Sequence, residues 1–378
     1  MKQQTADAIK QYFSDHYEEF LSDFMKLLRA ESPSNNKAAG EACAKVLSEI
    51  VWDRLAVKPL VYEQEDYAPH LRFTVGSGKR RVLLMGHYDT VWDVGSKPIS
   101  CENGIVRGPG CFDMKCGLIS AIWSLKAAAD LQLPMNDLSV DLFFNSDEEP
   151  GSTTSNPIYM ANIQDYCAAI VLEPSHDGGI KTERKGNGDF RIEITGTAAH
   201  AGVDHAKGRS AIGEAARIIT YLHSLTNYET GTTLNVGIIE GGTRRNVVAA
   251  NCAMVVDMRM CTQSEGEEVV RKVYALKPSR DGIGIKISGG INRPAMEKTP
   301  QNTALYQKLQ SLAADMDIEV HEVSVGGCSD GNFISAAGIA TLDGMGAVGA
   351  GAHAENEYVD MKKSLERTML LCGLLSEL

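Results

Sequence analysis

The sequence lacks the features that mark secreted, membrane-spanning and nucleic-acid-binding proteins. No apolar run is long enough to cross a bilayer, and the first residues lead into an amphipathic pattern over 9–28 instead of a secretory leader. Nine cysteines occur without a paired framework, which favours reduced thiols and a cytoplasmic location. The net charge of −12 argues against a nucleic acid partner, because phosphate binding needs a basic face.

A small anionic ligand stays compatible with this charge if cations are grouped locally. The arginines that could form such a group are Arg244, Arg245, Arg259 and Arg293. For Arg244 and Arg245 a solvated surface position is the favoured interpretation.

Apolar runs alternate with helical patterns through the first half of the chain. Helices are predicted at 1–30, 38–50 and 116–129, and strands at 82–85, 140–144 and 168–172. This alternation predicts an α/β domain with a mixed, largely parallel sheet and helices on both faces.

The pattern changes near residue 182. Strands are predicted at 190–195, 233–239, 252–258 and 283–287, with helices at 210–225 and 263–276. This order predicts a small α+β, ferredoxin-like domain. The α/β alternation resumes after Pro294, with a helix at 303–316, a strand at 319–325 and a helix from 361. We therefore predict one catalytic domain from 1–183 and 294–378, and an inserted domain from 184–293.

Histidine and acidic residues follow several of the predicted strands. His87 follows the strand at 82–85, Glu148 and Glu149 follow the strand at 140–144, and Glu173 follows the strand at 168–172. Ligands collect at the carboxyl ends of strands in parallel sheets. A lone histidine after a strand is usually an ordinary polar residue, but the agreement of several candidates favours a metal site. Imidazole and carboxylate are the groups that zinc prefers in catalytic sites.

Three further residues fit the same site, each with a plainer alternative. Asp89 points the same way as His87 along the strand, so its carboxylate is expected to fix the imidazole tautomer, although it could be a turn residue. Asp113 lies in a glycine-rich turn and could instead cap the following helix. His353 lies in the glycine-rich loop 344–354, which would be flexible unless a metal held it.

The adjacent acids Glu148 and Glu149 are expected to have different roles. Neighbouring strand residues face opposite ways, so one can bind metal while the other stays available as a general base. An ordinary acidic turn over 147–150 is the alternative.

Together these residues resemble the zinc metallopeptidases related to carboxypeptidase G, the glutamate carboxypeptidases, and the acetylornithine and succinyl-diaminopimelate deacylases. The resemblance spans nearly the whole chain, and its motifs occur in the family's order. They are Gly86–Thr90, Gly108–Lys115, Asp147–Glu149, Ala199–Gly202, Asn246–Ala249 and the region of His353.

The resemblance implies two zinc ions, with cobalt or manganese as chemical alternatives, bridged by Asp113 and a hydroxide. His87 and Glu173 would complete one metal site, and Glu149 and His353 would complete the other.

The resemblance also implies roles outside the metal ligands. Glu148 would be the general base and Asp89 would orient His87. The inserted domain would be a lid and dimerisation domain, whose His200 reaches the partner's active site and helps stabilise the oxyanion. From the residues alone His200 would be a plain loop residue.

Asn246, Arg259 and Arg293 would hold the substrate's terminal carboxylate, a role that suits bidentate arginine pairing. Lys185 is a weaker candidate, and a solvated surface charge is the alternative for each arginine.

These expectations lead to one main function and three alternatives. The main hypothesis is a metal-dependent exopeptidase that hydrolyses the amide bond before a C-terminal amino acid, with glutamate preferred. An N-acyl amino acid deacylase or an aminoacylase would use the same mechanism on a different substrate. A binding protein of the same fold without catalysis is the remote alternative, because every catalytic position is filled.

Overall fold

The computed structural model describes residues 1–135 and 137–378. Its helices are α1 (Gln3–Asp15), α2 (Tyr17–Arg29), α3 (Lys37–Leu55), α4 (Cys116–Asp130), α5 (Asn156–Met160), α6 (Ala211–Ser224), α7 (Gln263–Tyr274), α8 (Pro300–Asp315), α9 (Asp330–Ala336) and α10 (Met361–Glu377). Its strands are β1 (Leu60–Tyr62), β2 (His70–Gly76), β3 (Arg80–His87), β4 (Ser100–Glu102), β5 (Ile105–Arg107), β6 (Leu138–Asn145), β7 (Tyr166–Val171), β8 (Ile180–Arg184), β9 (Gly186–Thr195), β10 (Thr233–Gly241), β11 (Asn251–Met260), β12 (Gly284–Arg293), β13 (Glu322–Val325), β14 (Thr341–Leu342), β15 (Gly349–Ala350) and β16 (Tyr358–Asp360).

The chain divides into two compact units. The first unit consists of Met1–Thr182, Lys298–Val325 and Ser329–Leu378, and the second of Glu183–Glu297 and Gly326–Cys328. No helix of the described ranges is both long and apolar enough to span a membrane.

The first unit is built on a six-stranded sheet in the order β1-β2-β6-β3-β7-β14. The pairs of β3 with β6, β3 with β7, and β7 with β14 are parallel, whereas β1 and β2 add an antiparallel edge. The prediction of a mixed, largely parallel sheet is therefore confirmed.

Both faces of this sheet are covered by helices, because successive residues of its central strands point to opposite sides. On β3, Val82 and Leu84 join the larger core with helices α1 to α4, α8 and α10. Leu83 and Met85 join a smaller core that includes Tyr159 of α5 and α9 residues. The expectation of helices on both faces is thus confirmed.

The N-terminal helix predicted over 1–30 is wrong in one respect, because two helices meet at His16. His16 has φ −105° and ψ 15°, outside the helical range. Both helices present a buried apolar face, so the apolar pattern continues across the break and conceals it.

The second unit is a four-stranded antiparallel sheet in the order β10-β11-β9-β12, with α6 and α7 in the order of a ferredoxin-like fold. Phe190, Ile192 and Ile194 of β9 are buried with apolar residues of α6 and α7, while alternate residues face the helix-free side. The two helices start where Ser210 and Thr262 accept a backbone N–H bond. The predicted inserted α+β fold is confirmed.

Candidate metal centre

Three neighbouring parallel strands of the first unit bring the predicted ligands to one sheet edge. His87 is the last residue of β3 and pairs with Asn145, the last residue of β6. The strand β7 ends at Val171, two residues before Glu173. Since all three strands run the same way in the order β6-β3-β7, the residues after their carboxyl ends converge.

A smaller sheet brings in the two remaining segments. The strand β5 leads into the turn that contains Asp113, and β15 and β16 flank the loop that contains His353. Because β16 pairs with both β5 and β15, the turn and the loop are held side by side. The loop of His353 is thus the connection of a β-hairpin, and its backbone does not depend on a metal alone for its position.

Gly110 allows the turn before Asp113 to take this path. It has φ 69°, in the left-handed region, and a Cβ at this position would collide with Thr90 Cγ2. The turn continues through a cis peptide bond between Asp113 and Met114.

The carboxylate of Asp113 lies between two imidazoles. Its Oδ1 is 3.1 Å from His87 Nε2, and its Oδ2 is 3.4 Å from His353 Nε2. Glu173 Oε1 is 3.6 Å from His87 Nε2, and Glu149 Oε2 is 3.1 Å from His353 Nε2. The five predicted metal ligands therefore form two groups that share Asp113.

These distances and this donor set fit divalent cations. Two ligands of one zinc ion, each about 2.0–2.2 Å from it, lie roughly 3–3.5 Å apart. Among the described residues, two sets of side chains have ligand atoms that all lie within 4.8 Å of one another and could hold an ion. One set is His87, Glu148 and Glu173, and the other is His87, Asp113 and Glu149. The carboxylates around the two imidazoles supply the negative charge that one or two dications would balance.

The titration of these side chains reflects how closely they are packed. Burial opposes charge on His87, but hydrogen bonds to Asp113 and Asp89 outweigh it and raise its pKa well above the usual value. Hydrogen bonds to Asp113 and Glu149 raise the pKa of His353 to about 10. Burial disfavours the carboxylate of Asp113, yet hydrogen bonds from His353 and His87 lower its pKa. Burial raises the pKa of Glu149. A metal ion would compete with protons for these groups.

His87 Nδ1 faces two oxygens of Asp89, so the orientation of His87 by the Asp89 carboxylate stays a prediction. The acceptor nearest to His87 Nδ1 is the backbone carbonyl oxygen of Asp89 at 2.9 Å, while Asp89 Oδ1 is 3.4 Å away. A backbone carbonyl fixes the tautomer as well as a carboxylate does.

The carboxylate of Asp89 also holds the turn of the paired acids. It accepts bonds from the backbone N–H groups of Glu148 at 3.3 Å and Glu149 at 3.2 Å. The hydroxyl of Ser34 donates to it at 2.8 Å. The argument from strand alternation fails for this pair, because both residues lie in a turn beyond the end of β6.

His200 and Asn246 lie near each other in the second unit, where the backbone N–H of Ala201 donates to the Asn246 carbonyl at 3.0 Å. Nδ1 of His200 accepts bonds from the N–H groups of Gly202 and Val203, both at 3.2 Å. Because Nδ1 is an acceptor, the ring proton is on Nε2 and can be donated to another group.

Arg259 and Arg293 flank one residue of the central strand β9. Both pair with Asn187, from β11 on one side and β12 on the other. With strands about 4.8 Å apart, the two arginine backbones are separated by roughly 10 Å. Arg259 is bidentate to Asp257, with Nε–Oδ1 and Nη2–Oδ2 distances of 3.0 Å, and Arg293 is buried.

The weaker cationic candidates differ from one another. Lys185 Nζ donates to the carbonyl of Gly231. Arg244 and Arg245 are exposed, in agreement with the surface interpretation.

Sequence reasoning missed three residues around the site, namely Ser34, Trp92 and Glu357. Ser34 contacts Asp89, and Glu357 accepts hydrogen bonds from Trp92 and from the Asp113 turn. Neither a serine after a proline nor an acid in an acidic loop can be recognised as a site residue from the sequence pattern. The sequence feature that could have indicated Glu357 is its short distance along the chain from His353.

Known proteins are similar to this chain in sequence. Residues 182–277 match the M20 peptidase dimerisation domain. The chain is 24% identical to carboxypeptidase G2 of Pseudomonas sp. strain RS-16 over 313 residues, covering 80% of this chain and 75% of that protein. It is also 24% identical to succinyl-diaminopimelate desuccinylase of Polaromonas sp. strain JS666 over 340 residues, covering 85% of this chain and 78% of that protein.

A solved structure has the same fold as most of the chain. Aminopeptidase PepT from Bacillus cereus ATCC 10987 superimposes with a TM-score of 0.81 at 23% identity, covering 95% of this chain and 98% of that one. At this identity the likeness establishes the fold alone.

Proposed function

The chain belongs to the M20 peptidase family, and on this premise we propose that it is a two-zinc carboxypeptidase that releases a C-terminal amino acid, with glutamate preferred. The family makes the chain a hydrolase of peptide or related amide bonds. The preference for glutamate, the two zinc ions and the roles of individual residues are the proposal.

The position of Asp113 carries this proposal. Its two carboxylate oxygens face different imidazoles, and each imidazole has its own second carboxylate, Glu173 or Glu149. A single metal would use one side of this arrangement, whereas two metals use both. We propose His87, Asp113 and Glu173 as ligands of one ion and His353, Asp113 and Glu149 as ligands of the other.

When bound, the metal ions would polarise the substrate carbonyl and lower the pKa of the attacking water. Glu148 would take the proton of that water and pass it to the leaving amine. Asp89 would keep the Glu148 turn in place through the two backbone N–H bonds that its carboxylate accepts.

Arg259, Arg293 and Asn246 are proposed to bind the carboxylates of the substrate. Arginine side chains placed on either side of Asn187 can reach towards one carboxylate from two directions. Because Arg259 is paired with Asp257, an incoming carboxylate would share or replace that partner.

An N-acyl amino acid deacylase is the second candidate function. It is favoured by the match to succinyl-diaminopimelate desuccinylase, whose identity equals that of carboxypeptidase G2 and whose coverage of this chain is larger. The metal ligands and Glu148 would have the same roles, and only the pocket for the released amino acid would differ.

Amine release from matched substrates tests the proposed substrate. With zinc-loaded protein, we expect release from N-acyl substrates with C-terminal glutamate to exceed release from those with aspartate, alanine or leucine. The rate of release is expected to differ by about one to two orders of magnitude, since a buried group left unpaired costs about 1–3 kcal/mol.

N-acetyl-ornithine and N-succinyl-diaminopimelate belong in the same panel. Preference for them would keep the metal mechanism and replace the carboxypeptidase by the deacylase. No release from any substrate, together with no bound zinc, would favour a binding protein of this fold.

We further propose a homodimer formed through the second unit, in which His200 acts in the active site of the partner subunit. The match to a peptidase dimerisation domain supports the dimer. The donor Nε2–H of His200 suits stabilisation of a developing negative charge.

Mixed dimers test this shared site. His200→Ala and Glu148→Gln dimers are each expected to lose most activity, about 10²-fold or more for the histidine. A purified heterodimer of the two variants should recover up to half of the normal kcat, because one of its sites has an intact Glu148 and receives an intact His200. A heterodimer as inactive as its parents would show that His200 does not act across the dimer.

A further inference from the structure

Glu357 is a buried acid outside the predicted ligand set whose carboxylate is saturated by N–H donors. Its Oε1 accepts bonds from the backbone N–H groups of Phe112 at 3.0 Å and Asp113 at 3.2 Å. Its Oε2 accepts from Trp92 Nε1 at 2.8 Å and from the N–H of Gly110 at 3.4 Å. The residue is 2% exposed, and across residues 1–135 and 137–378 no cationic side chain forms an ion pair with it. Hydrogen bonds of this kind stabilise a charge in such a place.

These four hydrogen bonds connect the three chain segments that contain His87, Asp113 and His353. Trp92 lies in the segment that follows His87 and Asp89. The backbone N–H of Asp113 belongs to the residue whose carboxylate faces both imidazoles. Glu357 itself lies in the hairpin loop of His353. Lys97 strengthens the same junction, because its Nζ lies over the Trp92 ring at 3.4 Å and donates to the Ala354 carbonyl.

We propose that Glu357 is a positioning residue that holds Asp113 between His87 and His353, so that each oxygen of Asp113 faces a different metal site. This role rests on the proposed function. Glu357 acts through the backbone N–H of Asp113, while the Asp113 side chain makes the contacts to both imidazoles. Hydrogen bonds to a charged acceptor are roughly twice as strong as neutral ones, which suits an anchor for a glycine-rich turn.

Glutamine at this position retains the shape of glutamate but not its bonding. Its amide group offers one oxygen, and its NH₂ group would face N–H donors that now have an acceptor. The turn would therefore lose part of its anchor while the packing volume stays the same. Glu355, an exposed glutamate two residues earlier in the same loop, provides the matched control.

The test compares Glu357→Gln with Glu355→Gln by titration with cobalt and zinc in the absence of substrate. We expect Glu357→Gln to bind metal about 10–100-fold more weakly and to change the visible absorption of bound cobalt, as loss of a supporting contact does. Its kcat should fall while KM stays close to normal, and excess metal should restore part of the activity. Glu355→Gln should behave as the unsubstituted protein.

Three outcomes decide the proposal. Equal metal affinity and an equal cobalt spectrum in folded Glu357→Gln would overturn the positioning role and leave the proposed function intact. No metal binding by the unsubstituted protein would overturn both. If Glu357→Gln does not fold, Trp92→Phe removes one of the four donors with little change of shape. A weaker cobalt affinity in that variant would support the role, and unchanged affinity would contradict it.

Discussion

Asp113→Asn is expected to reduce bound zinc from two ions per chain to at most one and to lower kcat/KM by about 10³-fold or more. The reason is that both oxygens of Asp113 face ligand groups, at 3.1 Å from His87 and 3.4 Å from His353. Asparagine keeps one oxygen and turns the other into an NH₂ group that cannot bind metal. Loss of a Lewis acid worth several kcal/mol gives the stated decrease in rate.

The measurement is metal content by mass spectrometry after dialysis, together with kcat/KM on the best substrate. Asp93→Asn is the control, since Asp93 is exposed and lies in the segment that follows β3 and His87. A circular dichroism spectrum and melting temperature close to normal would show that Asp113→Asn is folded. Two bound zinc ions and a normal rate in that variant would remove the basis of the two-metal proposal.

Glu148→Gln is expected to lower kcat by about 10²–10⁴-fold while both metal ions stay bound. The substitution keeps the size of the side chain and the backbone N–H bond to Asp89, so the turn should keep its place. Only the ability to take a proton from water is removed.

This variant also distinguishes a general base from a metal ligand, because the position of Glu148 is compatible with both roles. An oxygen of Glu148 lies in one group with His87 and Glu173 that could hold an ion, so Glu148 could act as a ligand. A ligand role predicts loss of metal together with activity, whereas a general base predicts loss of activity alone. Glu65→Gln, at an exposed position, should leave both quantities unchanged. An active Glu148→Gln would exclude both roles.

The elements that sequence predicted best are the ones whose environment is uniform. The strands β3, β6 and β7 are buried on both faces, so their apolar runs are continuous and easily recognised. The strand β1 was missed because its three residues lie at the sheet edge and are largely exposed. In β9, one buried face gave the clear alternation from which the second unit was predicted.

The candidate ligands could be proposed from sequence because parallel strands bring their carboxyl ends to one edge. What holds those ligands could not, since it depends on contacts between distant residues. The Asp89 carboxylate bonds to N–H groups 59 and 60 residues away, and Glu357 bonds to an N–H group 244 residues away. No spacing rule connects such positions, and backbone donors leave no trace in the residue type.

The order of the proposed ligands along the chain has a consequence for biosynthesis. His87, Asp113, Glu149 and Glu173 precede the second unit, whereas His353 and Glu357 follow it. At a translation rate of about 5–20 residues per second, roughly 10–40 s separate the synthesis of Glu173 from that of His353. A nascent chain therefore carries an incomplete site until the whole second unit has left the ribosome. Under the two-metal proposal, hydrolysis would start only once the loop of His353 has been synthesised.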